Sequence, residues 1–191
     1  MRDLPKNAFC SSQASLERLV GDTSPILVVT CSDHDRTCLK ALNPQRVIWL
    51  QGAANLTRGE AAEATVEYAL CKKANDIVIC GHVACTSLRH ILDSKDEDLP
   101  KAWQGIGSEL RDRVETCYGQ QLEDSQRGLI TAAEHLLDQI ERLVLQPCVQ
   151  DACDGQLRVH VWLHSEEGDV LYVYEPASNR LYSGEEQRTR F

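Results

Sequence analysis

Three residues of this chain have the types and placement to hold a metal ion: Cys31, His82 and Cys85. Cys31 ends the apolar run "PILVVTC" and opens "CSDHDR", where a thiol, two carboxylates, an imidazole and a guanidinium crowd together. His82 and Cys85 lie in "CGHVAC", residues 80–85, at the end of another short apolar run. Two thiolates and an imidazole suit tetrahedral Zn²⁺, and three protein ligands leave a fourth position for water, as catalytic rather than structural zinc sites do. Asp33 is placed to share or compete for that position. The spacing His82-x-x-Cys85 alone is a weak signal in a chain with nine cysteines. Its conjunction with Cys31 at a second strand end is the strong one.

For these donors to meet, two strand ends must lie side by side. Pro25–Cys31, Arg46–Gln51 and Asp76–Gly81 are short runs rich in Ile, Val and Leu, bounded by polar or Gly/Pro residues. Their apolar residues occupy successive positions, which predicts strands buried on both faces, as in a parallel sheet. Between the second and third lies "RGEAAEATVEYALCKKAN", a helix with favourable charges at both ends, which completes a βαβ crossover. Chemistry in open α/β sheets gathers beyond the carboxyl ends of strands where the strand order reverses. With strands one and three adjacent and strand two outside, Cys31, His82 and Cys85 converge there.

Downstream, "CTSLRHILDSK" predicts a helix, and "LPKAWQGIGSELRDRVETCYGQ" is helical in pattern but weakened by Gly105 and Gly107. "SQRGLITAAEHLLDQIERLVLQ" is the clearest helix, capped by Ser125, with Leu129, Ala133, Leu136, Leu137, Ile140, Leu143 and Val144 in one core-facing stripe. "QLRVHVWLHSEEGDVLYVYEP" alternates on both sides of "EEGD" and predicts a hairpin, in which His160 and His164 read as ordinary strand residues. The expected architecture is α/β: an open, mainly parallel sheet with flanking helices and a C-terminal antiparallel hairpin. One domain over residues 1–182 and a solvated tail over 183–191 account for the 191 residues.

The balance of 20 basic against 29 acidic residues gives a formal charge of −9, which argues against nucleic acid and anionic membranes as partners. No signal-like apolar segment and no run of about 18 apolar residues occurs, so a soluble cytosolic protein is expected. In a reducing cytosol Cys10, Cys38, Cys71, Cys117, Cys148 and Cys153 read as packing or surface residues, and Cys80 as a core residue of its strand.

Taken together, the C-x-D motif after the first strand and the H-x-x-C motif after the third resemble the β-class carbonic anhydrases. "LQGAANL" is similar to the arginine-asparagine-alanine-glycine-asparagine segment of that family, and "GQLRVHVWLHSEEGDVLYVYEP" to its terminal hairpin. The resemblance implies Zn²⁺ held by Cys31, His82 and Cys85, with Asp33 either bound to the metal or held off it by an arginine. The chain departs from the family in four places. It reads Asp33-His34-Asp35-Arg36, so its arginine arrives one position late. Asn43 stands where many relatives have a substrate-binding glutamine, Gln51-Gly52 replaces arginine-asparagine, and Thr86-Ser87 replaces a glycine pair. A helical turn starting at Asp33 would bring Arg36 back to it, whereas an extended segment would point Arg36 away.

The implied function is zinc-dependent interconversion of CO₂ and bicarbonate, with a zinc-activated hydroxide oriented by Asp33 and Arg36 as the partner of Asp33. The alternatives are a catalytically silent zinc-binding homologue serving as scaffold or regulatory subunit, and a CS₂ or COS hydrolase on the same fold. The family also implies a homodimer or higher homo-oligomer. His34 reads as an exposed loop histidine, with proton transfer as its alternative. Asp35 reads as a solvated partner for a cation or a helix N-terminus.

Overall fold

In the computed structural model, residues 19–119, 121–153, 157–175, 178 and 180–183 are described. The three predicted parallel strands are β1 (Ile26–Cys31), β2 (Val47–Gly52) and β3 (Asp76–His82). The hairpin is β4 (Arg158–Ser165) with β5 (Val170–Glu175), closed by the antiparallel pair Ser165 and Val170. A short β6 (Arg180–Ser183) follows, too brief to leave a pattern in the sequence. The sheet order is β2-β1-β3-β4-β5-β6, with β1 to β4 parallel and β5 and β6 antiparallel. Strand order reverses at β1, the condition required for the two motifs to meet.

Both faces of the parallel strands are covered, which is why their sequences are continuously apolar. Leu27, Val29, Ile77, Ile79, Val161 and Leu163 face one core. Ile26, Val28, Val78, Cys80 and Trp162, one residue out of phase, face the other. The helices are α1 (Glu60–Cys71), α2 (Thr86–Asp93), α3 (Ile106–Tyr118), α4 (Asp124–Val144) and α5 (Pro147–Cys153). The predicted stripe of α4 is its core face: Leu136, Ile140, Leu143 and Val144 are buried, and Leu129, Ala133 and Leu137 pack against them. Its cap is Glu123 in a capping box with Gln126 rather than Ser125, which lies inside the first turn.

The segment before α3 is a turn rather than helix, because Gly105 adopts φ 80° and starts the helix at Ile106. Gly107 serves packing: a Cβ there would lie 2.6 Å from the Ile91 carbonyl oxygen, so a side chain would force α3 off α2. His160 is buried, with its Nε2 2.8 Å from Asp76 Oδ1, and Arg158 also pairs with Asp76. It therefore ties β4 to β3 through a buried carboxylate, which strand alternation could not reveal. Residues 184–191 of the expected tail, and Cys10, lie outside the described residues.

Candidate metal centre

The carboxyl ends of β1 and β3 bring Cys31, Asp33, His82 and Cys85 together, with one donor atom from each inside a common 4.8 Å span. Cys31 Sγ lies 3.5 Å from Cys85 Sγ. Two thiolates at about 2.3 Å from a tetrahedral ion stand about 3.8 Å apart, so this pair is spaced to share one. His82 Nε2 faces the same space, 2.9 Å from Asp33 Oδ1. Cys31 is fully buried, and His82 and Cys85 are each 5% exposed. The arrangement shields an ion while leaving Asp33 at the rim.

The surroundings fit a metal as well as the donors do. Backbone N–H groups donate to both sulfurs, Ala54 to Cys31 at 3.2 Å and Leu88 to Cys85 at 3.3 Å, which stabilises thiolates. Ala54 and Asn55 hold the first of these in place from left-handed backbone, φ 53° and 57°. The Asn55 amide anchors that loop on the Cys80 carbonyl at 2.7 Å, and His135 Nε2 donates to the Ala54 carbonyl at 2.5 Å.

Glu166 Oε1 accepts from His82 Nδ1–H at 2.6 Å, and its Oε2 accepts from the Ala84 N–H at 3.2 Å. This fixes the His82 tautomer with Nε2 toward the sulfurs, the carboxylate-backed arrangement of metal-bound histidines. Glu166 belongs to the hairpin turn 84 residues away, and the only sequence hint was its position in the conspicuous "EEGD".

Electrostatics follow the geometry. The Cys85 thiol donates to Cys31 and, with His82 nearby, pulls Cys31 down to about 4 against the effect of burial; the same coupling and burial push Cys85 up. Burial alone would lower His82, but Cys31, Glu166 and Asp33 outweigh it and raise it to about 9. Asp33 is partly buried, which opposes ionisation, yet contacts from Cys31, Thr86 and His82 hold its carboxyl well below the usual range. At neutral pH the site thus carries protons on His82 and Cys85, where a divalent cation would replace them.

Arg36 does not join this group. It adopts φ 61° and caps the 3-10 turn Thr37–Leu39, with its guanidinium 5.0 Å over the Trp49 ring. The helical turn begins after Arg36, not at Asp33, so the three-residue spacing that would unite them never forms. Asp33 Oδ2 instead accepts from the backbone N–H of Thr86 at 2.9 Å and from the Thr86 hydroxyl. A glycine at position 86 could not supply that hydroxyl. Asp35 accepts from the Thr37 N–H and hydroxyl at 2.9 and 2.6 Å and serves as the expected turn-start charge. Asn43 closes its own turn, accepting from the Gln45 N–H at 3.0 Å. His34 is buried rather than exposed, stacked on His82 with ring centroids 4.9 Å apart. A groove of about 640 Å³ between α2, α3 and α4 reaches Cys85, Val83 and Leu88 and is edged by Arg89, Arg111 and Arg127.

Donors for one thiophilic ion, set at the strand-order reversal of an α/β sheet, are the layout of a mononuclear metalloenzyme. The chain belongs to the carbonic anhydrase family, an enzyme family whose profile matches residues 26–170, and its solved neighbours include β-carbonic anhydrases. It is 29% identical over 164 residues to a carbonic anhydrase of Saccharomyces cerevisiae, covering 79% of this chain and 74% of that one. It is 31% identical over 135 residues to a carbonic anhydrase of Synechocystis sp., covering 68% of this chain and 48% of that one. The β-carbonic anhydrase CcaA superposes with a TM-score of 0.72 at 24% identity, over 90% of this chain and 89% of that one. Wild-type CafD of Aspergillus fumigatus superposes with a TM-score of 0.70 at 23% identity, over 80% and 90% of the two chains. Among the described residues no helix is long and apolar enough to cross a membrane.

Proposed function

We propose that this protein hydrates CO₂ reversibly to bicarbonate at a Zn²⁺ held by Cys31, His82 and Cys85. The observation that carries the reading is the buried two-sulfur, one-imidazole set, with a carboxylate of depressed pKa beside it. Bound there, Zn²⁺ would act as a Lewis acid that makes hydroxide available near neutral pH for attack on carbon. Asp33 Oδ1, 2.9 Å from His82 Nε2 and facing the same space, would accept the hydrogen bond that orients the attacking oxygen. Thr86 donates to Asp33 Oδ2 from its N–H and hydroxyl and would restrain that carboxylate from becoming a fourth ligand, the part Arg36 would play in the family pattern. Glu166 keeps the His82 proton on Nδ1 and Nε2 available as a donor. The half-buried apolar strand β2 at the sheet edge, "VIWL", supports assembly as a homodimer or larger homo-oligomer.

Stopped-flow CO₂ hydration, with zinc measured on the same sample, tests the reading. Asp33→Ala should retain zinc and lose turnover. A zinc-loaded wild type without turnover would make the protein a silent homologue, and turnover of CS₂ or COS alone would make it a hydrolase.

A further inference from the structure

A second cluster of soft donors lies behind the first. Cys38 Sγ stands 3.6 Å from Cys80 Sγ and 3.9 Å from His34 Nε2, and the three donor atoms fall within a common 4.8 Å span. We propose that His34, Cys38 and Cys80 form a second metal site for a thiophilic divalent ion of the Zn²⁺ type.

The sulfur spacing is close to the about 3.8 Å expected of two thiolates on one tetrahedral ion. His34 Nδ1 lies 3.1 Å from Thr30 Oγ1 and its Nε2 lies on the side of the sulfurs, so an ion would displace the proton that Nε2 shares with His164 Nδ1 at 3.1 Å. His164, with its own Nε2–H donated to Asp169 at 2.8 Å, falls outside the common span of the three donors, so the fourth position is left to water. Cys80 is fully buried, His34 5% exposed, and Cys38 half-buried, so the site is enclosed but reachable.

The two sites lie on opposite sides of the sheet. Cys31 belongs to the core facing α4, whereas Cys80 and Cys38 belong to the other. The stacked rings of His34 and His82 stand between them. An ion here would join the loop after β1, the 3-10 turn, and β3. Two thiolates would neutralise its charge inside the fold.

The test is titration of the reduced, chelator-stripped full chain with Cd²⁺, following sulfur-to-cadmium charge-transfer absorbance. The wild type should saturate at about two tight equivalents, and Cys38→Ser and Cys31→Ser at about one each. A companion measurement on the wild type is alkylation of Cys38, read by peptide mass spectrometry; the second equivalent of Cd²⁺ or Zn²⁺ should protect it. The proposal is overturned by saturation of the wild type at one equivalent that Cys38→Ser retains, by unchanged Cys38 alkylation, or by a Cys38–Cys80 disulfide that persists in the reduced protein. Loss of the only tight equivalent in Cys31→Ser would remove this second site while leaving the catalytic one intact. The converse loss in Cys38→Ser alone would do the reverse.

Discussion

Glu166→Ala removes the carboxylate that accepts from His82 Nδ1–H at 2.6 Å and from the Ala84 N–H at 3.2 Å, while leaving Cys31, His82 and Cys85 in place. Losing the outer partner of a metal-bound histidine lowers metal affinity about ten- to a hundredfold, or about 1.4–2.7 kcal/mol. Part of this loss is hidden at neutral pH. Glu166 also helps to raise His82 to about 9, so the variant has a less tightly held proton to displace. Above about pH 9 His82 is neutral in both proteins and the full loss should appear. Competition with a chromophoric chelator at pH 7 and again above pH 9 measures both values, and Glu166→Gln, which retains an acceptor, should fall between wild type and Ala. Equal zinc affinity of wild type and Glu166→Ala at the higher pH would refute the assignment of Glu166 as the support of His82.

Zinc binding by the metal-free protein at pH 7 should release protons from both His82 and Cys85, whose pKa values are raised, and apparent affinity should rise with pH, less steeply above about 9 where only the Cys85 proton remains to be displaced; no proton uptake by a weak buffer would contradict this. Thr86→Gly should lower CO₂ hydration about tenfold with zinc retained, Thr86→Ser should preserve it, and Arg36→Ala should leave it near wild type. A large loss in Arg36→Ala would restore that arginine to the mechanism. Because two thiolates offset the charge of the metal, hydration should climb between about pH 6.5 and 9, and a flat profile would count against a Cys-His-Cys centre. Gly107→Ala should destabilise the fold by about 1–2 kcal/mol, through its clash with the Ile91 carbonyl, read as a fall of a few degrees in Tm.

The metal-ligand candidates were legible in the sequence because each sits at the end of an apolar strand, and βαβ topology decides which strand ends meet. The supporting residues were not. Glu166 reaches His82 across 84 residues, and no periodicity encodes a contact made by a hairpin turn. Thr86 stands in place of a family glycine, and only the fold brings its hydroxyl onto Asp33. Arg36 was misplaced because a single left-handed residue sets where the 3-10 turn begins, and arginine gives no local sign of adopting that conformation. His34, His160 and His164 give no sign of their surroundings in the sequence, since the carboxylates and rings that bury them lie on other elements. The cysteine pair behind the site was hidden for a related reason: Cys38 and Cys80 lie in unrelated segments, and neither carries a motif.

The most direct test of the account is zinc X-ray absorption on the Cys38→Ser protein, in which the catalytic centre is the remaining thiolate site. It should show two sulfurs at about 2.3 Å, one imidazole nitrogen at about 2.0 Å and a light-atom fourth ligand. A coordination shell with fewer than two sulfurs, or without imidazole, would contradict it.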